Sequence, residues 1–267
     1  PVAYGMCVST DKGVVCIGGQ TGETVYSDVF RLEWDAKTKK LNQTKLPPLP
    51  SVCTGGAAAL IGEVVYVAGG KSGAGLNTAI KNFWRMDLAA KELKWEKLPA
   101  WPGPERAFNQ MVAQHNGREM CLYVFGGRRQ DPKVEGIAGI IAMNDVYEFS
   151  PSRHKRGKAE AWRERKGSPK PIMAGTAVAV GQSHVFVLGG ADGELLKKIV
   201  ATPDFQKTHP GFPKRAWAYH TITDTWIDAG PLPANHVTTP AVKWGDDIII
   251  ASGEIKPRVR SAKVWRF

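Results

Sequence analysis

The sequence has no stretch near the ~20 consecutive apolar residues that a membrane-crossing helix requires, so no membrane partner is expected. Close cysteine pairs are also missing. The four cysteines, Cys7, Cys16, Cys53 and Cys121, are widely spaced and sit in apolar runs, so they read as small buried hydrophobic residues rather than metal ligands, and they do not settle the redox compartment. The histidines (His115, His154, His184, His209, His220 and His236) show no H-x-H or H-E-x-x-H pairing, and no metal site is expected. There is no G-x-S-x-G elbow and no phosphate-binding glycine loop; Gly73-Ala74-Gly75 reads as a flexible loop, and no cofactor is expected. Pro1-Val2-Ala3-Tyr4 lacks the basic start and apolar core of a signal peptide, and the chain is expected to open part-way through a repeat. Acidic residues are in the minority, 25 Asp+Glu against 36 Lys+Arg, for a net charge of +11. That balance favours an anionic partner, whether nucleic acid, an acidic surface, or a small carboxylate or phosphate ligand.

What is present is a repeat. Gly18-Gly19 follows Val14–Ile17, Gly69-Gly70 follows Val64–Ala68, Gly126-Gly127 follows Leu122–Phe125, and Gly189-Gly190 follows Val185–Leu188. Ser252-Gly253 follows Ile248–Ala251, and the successive intervals are 51, 57, 63 and 63 residues. Each apolar run is short and continuous, as in a strand buried on both faces. An apolar strand precedes most of these runs and another follows each doublet. A fourth carries Trp95, Trp162 or Trp226, and a Leu-Pro turn often comes after it. Four strands per repeat predict the blades of an all-β propeller. The single domain divides at about 1–50, 51–104, 105–169, 170–233 and 234–267, the last without an outer strand. Because a propeller ring closes to hide its edges, about 4.7 blades of a six-bladed ring are expected in this chain. Long insertions follow two of the doublets, Arg128–Met143 and Ala191–Arg215, and loops of that length usually serve a purpose. In a propeller these connections lie on the face where ligands bind.

The last doublet leads into Gly253-Glu254-Ile255-Lys256-Pro257-Arg258-Val259-Arg260. Pro257 favours a turn that folds Arg260 back beside Glu254. A carboxylate in such a setting can act as general acid or base. Arginine offers a planar fork that matches a substrate carboxylate. The plainer reading of the pair is a loop ion pair worth about 0–1 kcal/mol. Arg106 and Arg128, with Arg129, are expected on the same face, where several arginines together would make an anion site; each could equally be a solvated surface arginine. Tyr4 is placed to stack on or hydrogen-bond a sugar, or simply to pack. Arg153–Lys158, with Arg163, Arg165 and Lys166, is the strongest basic run. It lacks interleaved aromatics and falls on the opposite side, so it reads as a solvated turn and no nucleic-acid partner is expected.

The diglycine strand sets resemble kelch repeats over nearly the whole length. Within that group, Cys121–Gly127 with Asn144–Pro151, and Asp246–Phe267, resemble the sialic acid mutarotases (N-acetylneuraminate epimerases). The tightest match is Gly253-Glu254-x-Lys256-Pro257-x-x-Arg260, which is similar to that family's catalytic loop. The resemblance implies that Glu254 and Arg260 are the essential residues, and Arg106 and Tyr4 lie in stretches similar to the family's; with Arg128 and the supporting charge of Lys256 they are expected to contribute to substrate binding. The context of Arg106 departs from the family's Pro-Arg-Asp-Gln stretch. Blade one resembles the C-terminal blade of the bacterial epimerases and blade two their first, the order of the cyclically permuted mutarotases.

The implied reaction is interconversion of the α and β anomers of N-acetylneuraminate, with Glu254 as acid/base and Arg260 receiving the sugar carboxylate. The resemblance also implies a periplasmic or secreted homodimer. Two other readings compete: a non-catalytic kelch module that binds a protein or carbohydrate partner through its loops, and a kelch-type oxidase. The oxidase would need a copper site with Tyr and His ligands, and no such set is evident. Fold alone does not choose among these.

Overall fold

The computed structural model describes residues 2–157, 161–202, 204–244 and 246–267, so Pro1 and Lys158 lie outside the described residues. Every apolar run that precedes a doublet is the second strand of an antiparallel sheet, and the sheets are the expected blades. Blade one holds Met6–Thr10, Gly13–Ile17, Val29–Asp35 and Lys40–Leu46, paired in chain order. Blade two holds Ala57–Ile61, Val64–Ala68, Phe83–Asp87 and Glu96–Lys97. Blade three holds Gln110–His115, Met120–Phe125, Val146–Phe149 and Trp162–Arg165; blade four holds Thr176–Val180, His184–Leu188, Arg215–His220 and Thr225–Pro231. Blade five has three strands, Ala241–Trp244, Asp247–Ala251 and Val264–Arg266.

The core lies between blades, because each strand alternates its side chains toward the blade before and the blade after. In Met120–Phe125, Leu122 and Val124 pack with Tyr66, Phe83 and Leu98 of blade two, whereas Cys121, Tyr123 and Phe125 pack with Val185, Val187 and Tyr219 of blade four. A strand buried on both faces therefore needs a neighbour on each side. The second strands of blades two and three have two and are almost entirely buried. Blades one and five depart from the expectation: in Gly13–Ile17 only Val15 and Ile17, which face blade two, are buried. Each fully buried apolar side chain of this size contributes about 1.5–3 kcal/mol, and the largest, Trp101, Tyr123, Tyr219, Phe83 and Phe125, concentrate in and around blade three.

The late tryptophans fasten each blade to the one before it. The indole N–H groups of Trp95, Trp162 and Trp226 donate to the carbonyls of Pro47, Pro99 and Lys166 at 3.0, 2.8 and 2.8 Å. Nearer the axis, the first three doublets tie each blade to the one after it. Gly19, Gly70 and Gly127 donate their N–H groups to the carbonyls of Cys53, Arg106 and Ile172 at 2.9, 2.8 and 2.7 Å. The following blade passes so close that a Cβ at Gly126 would strike the Ile172 carbonyl, which is why this left-handed position (φ 48°) is glycine.

Candidate functional site

Two positions recur in every blade, and together they build one face of the axis. The first lies two or three residues before the innermost strand: Tyr4, Gly55, Phe108, Ala174 and Thr238 all have left-handed backbones, with φ of 55, 61, 54, 53 and 63°. For the non-glycine members that costs on the order of 1–2 kcal/mol each. Backbone bonds between blades hold them. Gly55 N–H donates to the Tyr4 carbonyl at 2.8 Å, Phe108 to Gly55 at 2.6 Å, Ala174 to Phe108 at 2.8 Å and Thr238 to Ala174 at 2.9 Å. These residues line an axial cavity of about 180 Å³. The second position follows each doublet and bridges to the residue just before the first: Gln20 to Ala3, Lys71 to Thr54, Arg128 to Ala107, Ala191 to Met173 and Glu254 to Val237.

Cations gather over aromatic rings at these positions. Tyr4 and Phe108 meet edge to face with centroids 5.5 Å apart. Lys71 Nζ lies 5.6 Å and the Arg128 guanidinium carbon 5.1 Å from the Phe108 ring centre, and the Arg260 guanidinium carbon lies 5.9 Å from that of Tyr4. Burial holds the Arg128 guanidinium below its ordinary pKa. Burial and the charge of Arg128 lower that of Lys71, against a smaller opposing pull from Glu23. Lys71 donates to the Ala74 carbonyl at 2.9 Å, whereas Arg128 Nη1 is buried with no partner among the described residues. A buried donor without an acceptor costs about 1–3 kcal/mol, which an arriving anion would recover.

The loop after Ser252-Gly253 is a hairpin, Glu254–Lys256 against Val259–Arg260. Ser252 adopts the left-handed conformation of the other doublets' first glycine (φ 62°), and Gly253 follows at 114°. The turn at Pro257-Arg258 makes Glu254 and Arg260 direct antiparallel partners, as Pro257 suggests from the sequence. Glu254 Oε1 accepts from the Arg258 N–H at 2.5 Å, so the carboxylate caps its own turn, and its other oxygen makes no hydrogen bond among the described residues. Glu254 is half-buried and Arg260 exposed. The insertion of blade four closes over this hairpin: Phe212 donates its N–H to the Ile255 carbonyl at 3.3 Å, and His209, buried beside Phe205 and Phe212, feels the charge of Lys256.

Thus the structure brings together Tyr4, Arg128, Glu254 and Arg260, with half-buried Lys256 at the rim. Arg106 is a correction. It is fully buried, clamped by both oxygens of Asp145 at 2.9 and 2.6 Å and bonded to the Gly126 carbonyl at 2.8 Å. Its guanidinium carbon lies 5.2 Å from the rings of both Trp101 and Tyr147. An arginine so enclosed is an internal strut of blade three. Arg129, one residue beyond Arg128 on a strand, turns instead to the flank with Glu105 and Leu76. Of the basic run, Arg153–Lys155 form the end of a short helix begun at Pro151, while Arg165 is engaged by Tyr219, the Thr221 carbonyl and Glu148 rather than solvated. Lys71, Phe108 and His209 join the site unanticipated. The signal for Lys71 was available, since it stands after Gly69-Gly70 as Arg128 and Glu254 stand after their doublets.

A family model described as N-acetylneuraminate epimerase matches residues 46–209, more than half of the chain. The chain belongs to the N-acetylneuraminate epimerase family. It is 30% identical over 240 residues to an N-acetylneuraminate epimerase of Haemophilus influenzae (strain 86-028NP), covering 85% of this chain and 60% of that protein. To the N-acetylneuraminate epimerase of Salmonella typhi it is 26% identical over 241 residues, covering 84% and 58%. The chain therefore spans about three-fifths of the length of these epimerases. A solved structure described as "Structure of YjhT" superposes with a TM-score of 0.67 at 22% identity, over 83% of this chain and 64% of that one, a likeness of fold.

Proposed function

We propose that the protein is a mutarotase that interconverts the α and β anomers of N-acetylneuraminate, working at the axial face. The observation that carries this reading is the pairing of Glu254 with Arg260 across a two-stranded hairpin, with the arginine over Tyr4. The family match ends at residue 209, so the hairpin's role rests on this geometry and on its loop pattern. Lys71, Arg128 and Arg260 supply positive charge for the sugar carboxylate, and the buried, unpartnered Nη1 of Arg128 supplies a donor.

Ring opening removes a proton from the anomeric hydroxyl and delivers one to the ring oxygen as the bond from that oxygen to the anomeric carbon breaks. Rotation about the adjacent bond and closure on the other face reverse these steps, so no atom is gained or lost. A single carboxylate can take the first proton and return it. The free oxygen of Glu254 is suited to this role, while its other oxygen, held by the Arg258 amide, fixes the group in place. A periplasmic or secreted setting and a homodimer belong to the same proposal. The test is proton NMR of freshly released sialic acid with wild-type protein and with Glu254→Gln, whose fold is checked by circular dichroism. The variant is expected to leave only the uncatalysed rate; an unchanged catalysed rate would overturn the assignment.

A further inference from the structure

Cys7 and Cys16 are eight intervening residues apart in the sequence, yet the tight turn at Asp11-Lys12 makes them direct partners on adjacent antiparallel strands. Directly opposed residues put their side chains on the same face of the sheet. Antiparallel partners have Cα atoms about 4.5 or 5.5 Å apart, and both spacings fall in the range of about 4.4–6.8 Å that a disulfide spans. The face is also settled: Met6, Val8, Val15 and Ile17 point toward blade two, so Cys7 and Cys16 point the other way. Both thiols are free and half-buried, whereas Cys53, in the segment before Ala57–Ile61, and Cys121, in Met120–Phe125, are fully buried in separate blades.

We propose that Cys7 and Cys16 form a redox pair that a small-molecule disulfide converts to a cross-strand disulfide. One thiolate attacks a sulfur of the oxidant, forming a mixed disulfide and expelling a small thiolate; the other cysteine then displaces the second thiolate. Two protein thiols are oxidised, one oxidant disulfide is reduced, and the two protons leave with the released thiols. The bond joins the innermost strand of blade one, three residues after Tyr4, to the strand that ends at the Gly18-Gly19 doublet. Burial, and the proximity of Cys16, hold the Cys7 thiol above its ordinary pKa, as burial does for Cys16, so the reaction quickens as pH rises above neutral.

The test incubates the native protein with oxidised glutathione, then measures intact mass, the thiols that react after denaturation, and linked peptides. The expected result is a loss of two hydrogens without a retained adduct, two of the four thiols unreactive, and a peptide linked through Cys7 and Cys16. Both Cys7→Ser and Cys16→Ser are expected to lose that link. A stable glutathione adduct on either residue in the wild-type protein, a link involving Cys53 or Cys121, or no loss of hydrogen would overturn the proposal.

Discussion

The guanidinium of Arg260, in blade five, lies 5.9 Å from the ring centre of Tyr4, in blade one. Residues from the two ends of the described chain thus share one contact at the axis. A guanidinium over a ring keeps its edge N–H groups available, so this stacking orients the arginine without consuming its donors.

Arg260→Lys keeps the charge but loses the fork. Its expected effect is a weakening of N-acetylneuraminate binding by about 1.5–3 kcal/mol, the range for hydrogen bonds to charged groups. Arg128→Met is expected to weaken binding of the free acid more than that of its methyl ester. Isothermal titration with both ligands checks the pair; equal losses for acid and ester would remove Arg128 from carboxylate recognition.

Arg106→Met removes the strut rather than a ligand. Removing one partner of a wholly buried ion pair costs about 3–5 kcal/mol; Asp145 is 22% exposed, so stranding it is expected to cost less than that. Urea unfolding should show that loss, while protein that remains folded keeps its affinity for the sugar. A variant with unchanged stability and impaired binding would return Arg106 to the site.

Gly126→Ala and Gly62→Ala separate crowding from backbone strain. Both glycines are left-handed, but a Cβ at Gly62 meets nothing within 4 Å, whereas at Gly126 it meets the Met143 carbonyl at 2.8 Å and strikes that of Ile172. The expected losses are about 1–2 kcal/mol at Gly62 and about 2–5 kcal/mol at Gly126. Denaturant midpoints measure the difference.

His209 predicts a pH dependence. Burial, then the charge of Lys256, hold its pKa below 6.5. The unfolded chain therefore binds a proton before the folded one does, so stability falls as pH drops below about 6.5 and stops falling below the folded pKa. His209→Gln should flatten that part of the stability profile. A profile identical to wild type would mean that the folded histidine protonates normally.

The blades were legible because each repeats a signal with one physical cause. An apolar run buries a strand, a glycine doublet lets the next blade pass, and a late tryptophan reaches back to a carbonyl. Glu254 and Arg260 were legible for a local reason: Pro257 implies a turn, and a turn implies partners. Arg106 was not, because a buried arginine and a ligand-binding arginine look alike until Asp145, 39 residues on, is placed beside it. Phe108 and His209 enter through contacts between blades or through an insertion, and local spacing carries neither. The cysteines divide by the same logic: Cys53 and Cys121 are the buried thiols their apolar surroundings suggest, with Cys53 pushed up to about 12, but the pairing of Cys7 with Cys16 depends on strand register.

The left-handed residues at the axis, bonded blade to blade, separate scaffold from specificity. Their main-chain bonds run Tyr4, Gly55, Phe108, Ala174, Thr238 whether the side chain is a ring, a methyl group, a hydroxyl or nothing. The backbone acts as a rack with interchangeable slots: what occupies a slot can change while its coordinates stay fixed. A new ligand could be accommodated by exchanging side chains in these slots without redesigning a single strand, but the slots are not independent: a Cβ at Gly55 would meet the Phe108 ring at 3.3 Å, so filling one slot shifts the ring in the next.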